Sequence, residues 1–265
     1  MTEGPLALGP TQLAVAALLL LIDGCLSMWL GLGLERRLLV ASIRTVVQLT
    51  VMGWVLVPVF SLGSPYLVLA ICCGMVILAG REAVRRSSRS YPRVQRDAVF
   101  ALVVAGLSTA VFATAVILRA DPWWEPRYLI GLLGMVLGNA LTGISLGLDN
   151  VLTQLDEGRA RVEALLARGA TRWEAARPVA ANALRSGMIP ILNSMAVVGL
   201  VTIPGMMTGQ IIAGTPPALA ASYQILVMFL IAGATGTGVL LVVLLAIRAT
   251  FDAEHRLRPE RIRVQ

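Results

Sequence analysis

The absence of charge constrains this chain more than any motif does. From Thr45 to Gly80, 36 consecutive positions carry no charged residue, and from Ser186 to Ile247 the chain is again uncharged. One helix of 36 residues would run about 54 Å, against an apolar bilayer core of about 30 Å, so the first stretch must turn back on itself. SLGSP (61–65), with Pro58 just before it, supplies that turn. Only 14% of the residues are charged, where soluble domains carry about 25%. That deficit defines an integral membrane protein, which must satisfy its backbone internally and is therefore expected to be all-α.

Charges then mark the ends of the spans. Residues 12–33 form a first crossing broken only by Asp23, followed by 38–59, 66–80, 98–118 and 128–148. The fourth and fifth are separated by RADPWWEP (119–126), whose Trp123 and Trp124 suit a headgroup interface. The last uncharged block holds two more, joined by GQIIAGTPP (209–217). The expected architecture is a polytopic protein of about seven transmembrane helices, forming one transmembrane domain over residues 1–265 with its longest polar connection at 149–187.

The basic residues test that count. All 22 are Arg. In a seven-span scheme 20 fall in connections on one side, and only Arg119 and Arg127 on the other. Cytoplasmic loops carry such an excess, which puts the N-terminus outside and the C-terminus in the cytoplasm. The opening MTEGPLALGPTQLAVAALLLL lacks a basic leader segment and a small-residue cleavage site, so its apolar run reads as a retained span. The net charge of +7 reports topology rather than nucleic acid, since no basic cluster is interleaved with aromatics.

Several chemistries fall away. His255 is the sole histidine, which removes His-based metal sites and Ser-His-Asp catalysis. Cys25, Cys72 and Cys73 lie in apolar stretches, where packing is the expected role. A Walker A loop requires Lys and the chain has none, so it is not an ATP-hydrolysing enzyme. No cofactor and no bound metal are expected.

The informative segment is EALLARGATRWEAARP (163–178). Val162, Leu165, Leu166 and Gly169 share one helix face, and Glu157 stands four residues before Arg161, the favourable acid-first order. Gly169 is placed as a C-cap, and Thr171-x-x-Glu174 is a capping box opening a second helix, which Pro178 ends or kinks. Two short helices should therefore lie on the cytoplasmic face and lead into the sixth span. Such an elbow either rests on lipid or docks a soluble partner.

Three stretches bear on that choice. GNALTGISLGLDN (138–150), LARGATRWEAARP (166–178) and MAVVGLVTIPGMMTGQIIAG (195–214) resemble the FetB-type ABC transporter permeases, a family of bacterial iron exporters related to plant aluminium-tolerance half-transporters. E-A-L-x-x-x-G at 163–169 is similar to the EAA---G loop by which ABC permeases enter a cleft of their ATPase. Val179 stands where the later branched aliphatic of that loop falls, whereas Ala181 and Asn182 replace its following Leu-Pro. The resemblance implies an ABC ATP-binding subunit as partner, a permease homodimer carrying two ATPases, and the inner membrane of a bacterium. It also implies outward movement of iron or another metal. The coupling residues would be Glu163, Ala164, Gly169, Thr171, Trp173 and Glu174.

Other residues are candidates for the translocation path. Gly134 and Gly138 form a GxxxG, as do Gly143 and Gly147; this spacing lets helices approach closely, within one subunit or between two. Asn139, Asn193 and Asp23 are polar at membrane depth and should face protein or a pathway. Asp23 needs a polar partner or a cavity, while Arg44 can snorkel to the cytoplasm. IPGMMTGQIIAG (203–214) combines Pro204 with three glycines, and a helix broken there, near the outer face, suits a gate. Gln210 lies in it, as do Met206 and Met207, whose thioethers prefer soft metals to iron and otherwise pack helices. The alternative is a self-sufficient channel or secondary carrier, which should show paired repeats and several intramembrane acids. Asp23 is the one deep acid in the chain, and no convincing repeat occurs.

Overall fold

The computed structural model describes residues 9–264; the opening MTEGPLAL, and with it the placement of the N-terminus, lies outside the described residues. The chain is an all-α membrane protein. Its helices are α1 (Pro10–Trp29), α2 (Glu35–Leu62), α3 (Pro65–Arg85), α4 (Val94–Leu102), α5 (Ser108–Phe112), α6 (Pro126–Glu157), α7 (Arg159–Ala167), α8 (Arg172–Val197), α9 (Gly205–Ile212) and α10 (Pro217–Thr250). Two π-helical turns, Val103–Leu107 and Ala113–Ile117, join α4 and α5 into one span from Val94 to Ile117.

The turn in the first uncharged block is made by Gly63, which takes the left-handed φ of +55° and donates its N–H to the Val59 carbonyl at 3.2 Å. Ser64 is then extended and Pro65 opens α3, the position where a missing N–H costs nothing. Pro58 does not take part. It lies inside α2, where a membrane helix tolerates it.

Among the described residues six helical spans are long and apolar enough to cross a bilayer: α1, α2, α3, α4–α5, α6 and α10. The sixth expected crossing corresponds to α8, whose charged first half leaves the stretch from Ser186 to Val197 as its longest run free of charge. α8 nevertheless runs antiparallel to α6 through the bundle. A Cβ on Gly147 would lie 3.6 Å from the Ala183 carbonyl oxygen, and one on Gly143 would lie 2.9 Å from that of Gly187. Farther along, Ile191 is buried in one cluster with Leu132 and Val136. The two short elbow helices expected from the sequence are thus one short helix and one long one. Pro178 and Pro190 both lie inside α8 and neither ends it.

Two other boundaries move. α6 has 32 residues, about 48 Å, so the polar connection expected to begin at 149 begins as more than two further turns of helix. α9 has 8 residues, about 12 Å, too short to cross by itself. The segment after Phe251 is also ordered: Arg89 pairs with Val264 and Ser90 with Arg263 in a two-stranded antiparallel ladder (β1, Arg89–Ser90; β2, Arg263–Val264). Arg261 Nη1 caps the end of α10 by donating to the carbonyls of Ala249 (2.9 Å) and Phe251 (3.2 Å).

The centre is the crossing of α6, α8 and α10. Lipid offers no hydrophobic drive between helices, so close van der Waals packing of small residues must supply it. A Cβ on Gly143 would lie 2.5 Å from Thr235 Cγ2, and one on Gly187 would lie 2.7 Å from Val239 Cγ1 and 2.8 Å from the Gly143 carbonyl oxygen. The second GxxxG therefore packs within the subunit. The first is open only at Gly138, where a Cβ meets no atom within 4 Å; one on Gly134 would lie 3.5 Å from Met75 Cε. α1 and α2 pack on each other and stand outside this core, with most of their large apolar side chains exposed. Gly187→Val should cost about 1–3 kcal/mol, the usual range for overpacking, and lower the thermal midpoint in detergent. Gly138→Val should leave that midpoint unchanged.

Candidate functional site

The elbow begins where α6 ends. Gly158 separates α6 from α7, so Glu157 and Arg161 lie on different helices and do not pair as the four-residue spacing suggested. Glu157 instead accepts from Arg89 Nη2 at 2.9 Å, and the pair inside α7 is Arg159 with Glu163, at 2.6 Å and in the reverse order. Val162 is buried, with Leu165 and Leu166 half-buried against the core.

α7 ends in a Schellman motif. The Ala170 N–H reaches the Leu165 carbonyl (3.1 Å) and the Gly169 N–H that of Leu166 (2.9 Å), with Gly169 at φ +90°. No side chain could be fitted there without strain. The capping box follows at once. Thr171 Oγ1 accepts from the Glu174 N–H at 3.4 Å, while the Glu174 carboxylate accepts from the Thr171 N–H at 2.7 Å and from its hydroxyl at 2.8 Å. The hydrogen bond from the Thr171 N–H, then that from its hydroxyl, holds the Glu174 carboxyl below the usual carboxylate range. The guanidinium of Arg172 lies 5.3 Å from the Trp173 ring centroid. Glu163, Ala164, Gly169, Thr171, Trp173 and Glu174 are all exposed, so this short unit presents its outer face freely.

Sequence reading missed the clamp beneath the elbow. Arg89 Nε donates to Asp156 at 2.9 Å and Nη1 to Thr153 at 2.8 Å. Asp149 Oδ1 accepts from the Ser88 N–H at 2.7 Å, the Ser88 hydroxyl at 2.6 Å and the Ser87 hydroxyl at 3.4 Å. His255 Nδ1 accepts from the Arg172 N–H at 3.4 Å. The α3–α4 connection and the C-terminal segment thus brace the elbow end. Arg89 looked like one topology-marking arginine among many, and nothing in its local pattern distinguishes it.

At the other end of α8 the helix stops at Val197 and the chain reverses. Gly199 takes φ +80° and donates to Thr202 at 2.9 Å, and Pro204 precedes α9. A cavity of about 580 Å³ lies here, lined in part by Met195, Pro204, Met207, Gln224 and Met228. Met206 packs into the adjoining apolar cluster instead. Gln224, also missed, is buried, and its Oε1 has no partner, nor does that of Gln210. A lone amide in an apolar run was the available cue for Gln224.

The remaining candidates are dispersed. Asn139 Nδ2 donates to the Met135 carbonyl of its own helix at 2.9 Å, and Asn139 and Asn193 are both exposed. Asp23 is exposed on α1 without a hydrogen bond or ion pair to any described residue, so of the two expected environments, a polar partner or a cavity, no described residue supplies the first. Arg44 is likewise exposed on α2. Cys72 is buried while Cys25 and Cys73 are exposed, and all three are free. Among the described residues no three His, Cys, Asp or Glu side chains cluster in a way that could hold a metal ion.

Long apolar helices, a braced polar elbow at one end and a broken helix at the other define a multi-pass membrane protein. Residues 10–251 match the model of the family described as "Uncharacterised protein family (UPF0014)", and the chain belongs to that family. It is 40% identical over 206 residues to "UPF0014 membrane protein slr1647" of Synechocystis, covering 77% of this chain and 78% of that protein. It is 29% identical over 246 residues to "Probable iron export permease protein FetB" of Escherichia coli, covering 93% of each. With "Protein ALUMINUM SENSITIVE 3" of Arabidopsis it shares 33% identity over 226 residues, 85% of this chain and 81% of that one. No solved structure matches the chain.

Because Glu174 has a depressed carboxyl pKa, the cap is complete at neutral pH and is lost only as pH falls through that lowered value. Amide exchange in the first turn of α8 should therefore hold steady from neutral pH down through the ordinary carboxylate range, once corrected for intrinsic rates, and rise only below it. Thr171→Ala should raise it at every pH, in line with the typical cap loss of about 1 kcal/mol. Hydrogen exchange with mass spectrometry reads both.

Proposed function

We propose that this protein is the membrane-spanning subunit of an ABC exporter, acting as a homodimer with two copies of a separate ATP-binding subunit in the inner membrane of a bacterium. The carrying observation is the elbow: an exposed Schellman turn and capping box, braced from below and continuous with a helix that traverses the bundle. A helix resting on lipid needs no such bracing. The E-A-L-x-x-x-G pattern of α7 supports the same reading, as does likeness along nearly the whole chain to a protein named a probable iron export permease.

The elbow end faces the cytoplasm in this reading, with the N-terminus outside. ATP binding on the partner presses α7 and the first turn of α8. Since α8 is a single helix gripped at Gly187 by α6 and α10, a tilt at Thr171 moves Val197 and the reversal after it. The cavity at that reversal opens and closes outward. Iron or another metal, alone or as a complex, is the cargo. It passes through transient contacts such as the Met195 and Met207 thioethers and the Gln224 carbonyl. The exposed faces bearing Asn139, Asn193 and Asp23 are polar at membrane depth, and a second copy would cover them; there they line the path or the dimer seam. A self-contained carrier would need further intramembrane acids to couple an ion gradient, and the spans hold only Asp23 well inside.

Gly169→Val and Glu163→Arg should leave membrane insertion intact while reducing recovery of the co-expressed ATP-binding subunit and its stimulated hydrolysis. Wild-type recovery and stimulation in both variants would sink the coupling reading. For topology, single cysteines at Ser64 and Ala218, in a variant free of the native three, should react with an impermeant maleimide from outside intact cells. Those at Ser88 and Thr171 should react only after lysis.

A further inference from the structure

A cavity of about 620 Å³ lies between the start of α4 and the end of α10, at the basic end of the bundle. Four arginines line it, Arg93, Arg96, Arg248 and Arg261, together with Pro92, Leu245 and Ala249. Asp97 is its one carboxylate, and that charge is already engaged: it accepts from the Tyr91 hydroxyl at 3.0 Å and lies 3.6 Å from Arg96 Nε. Arg258 does not line the cavity and is paired with Asp252 and Glu260, so the neighbouring acids are spent elsewhere. Arg93 and Arg248 make no ion pair with any described residue. Arg261 is held in place by the two carbonyls at the end of α10, which fixes its guanidinium without neutralising it. The net lining charge is four positive less one negative, or +3.

Four like charges converging on one cavity repel each other unless an anion joins them. The depth of the cavity names the kind of anion. Leu245 and Arg248 sit where the apolar run of α10 ends, and Arg93 and Arg96 sit where that of α4 begins, so the site lies at the level of the lipid headgroups. Guanidinium forks match phosphate oxygens in pairs, and basic pockets between membrane helices hold anionic headgroups. We infer that Arg93, Arg96, Arg248 and Arg261 form a binding site for the phosphate headgroup of an anionic phospholipid, with Leu245 against the start of its acyl chains. A lipid held there ties α4 to α10 at the end where the elbow is braced. The inference needs only a membrane protein and does not rest on the ABC assignment.

The test is native mass spectrometry of the full chain released from nanodiscs containing phosphatidylglycerol and phosphatidylcholine. Wild type should retain phosphatidylglycerol selectively. The double variant Arg93→Gln/Arg248→Gln should lose at least about tenfold of that retention, since each arginine near a headgroup contributes on the order of 1 kcal/mol. Arg36→Gln/Arg37→Gln, with the same loss of charge on α2, should retain lipid as wild type does. Should the first double variant fail to fold, Arg93→Gln alone, at an exposed position, should still lose severalfold. Equal loss in both double variants would show only general attraction to an anionic surface and would overturn the site. Undiminished retention in the Arg93 variants would overturn it too. Displacement of the lipid by low-millimolar inorganic phosphate, with no preference between the two lipids, would assign the cavity to a free anion instead.

Discussion

Everything in this bundle depends on the α6 and α8 backbones approaching each other at Gly143, Gly147 and Gly187, beneath side chains of α10. The contacts there are backbone against side chain: Gly187 sits beneath Val239, and the α6 and α8 backbones leave no room for a Cβ at either glycine. In water such a crossing would be one contribution beside hydrophobic burial. In lipid, where the tails are as apolar as the side chains, close contact is itself the stabilising term. It also fixes the direction of α8. That direction carries the chain from the elbow, where charges are paired and capped, to the reversal after Val197, where the helix breaks.

Most of the architecture was legible because charge and lipid do not mix. The uncharged runs located the membrane helices, and the glycines and prolines between them located the turns. The capping box was readable because Thr171 and Glu174 use only local backbone, and Gly169 because only glycine relaxes at positive φ. What failed was whatever depended on neighbours. The sequence reading treated the elbow's second helix and the sixth crossing as separate, because charge was used to separate membrane from water. α8 passes through that boundary in one piece, with its charges at the elbow end and its small residues buried against α6 and α10. Pro178 is a local breaker by its own chemistry, and so is Pro190, yet both lie inside α8. Neither breaks α8, since neighbouring helices hold its axis on both sides of each ring.

The candidate site divides in the same way. The elbow residues are contiguous in sequence, so their geometry could be foreseen. The bracing of Arg89 against Thr153, Asp156 and Glu157 joins positions more than sixty residues apart, and no local pattern encodes it. The same holds for the ladder between β1 and β2, which ties the chain's end to the connection that carries Arg89. Asp23 shows the converse case. Its chemistry demanded a partner, and the demand remains, but no described residue of the same chain meets it. A carboxylate exposed at membrane depth is expensive, and its cost is relieved only by protonation, by water, or by another copy of the protein.

The two ends of α8 are unlike in a way that bears on movement. At the elbow, most polar groups find partners: Glu174 with Thr171, Arg89 with three acceptors, Asn182 with Gln154 at 3.2 Å, while Arg172 Nε finds none among the described residues. Around the reversal, the buried side-chain carbonyl oxygens of Gln210 and Gln224 have none among the described residues, and a buried group left unpaired carries a desolvation cost. Any arrangement of α9 that supplied water, cargo or a neighbouring donor to those two oxygens would recover part of that cost. The elbow holds one such atom, Arg172 Nε, among many groups that are paired, so in the proposed exporter a force applied there is better passed on than absorbed. On the proposed coupling to an ATP-binding subunit, α8 has what a lever from surface to gate requires: a well-braced end at the elbow and a less satisfied end at the reversal.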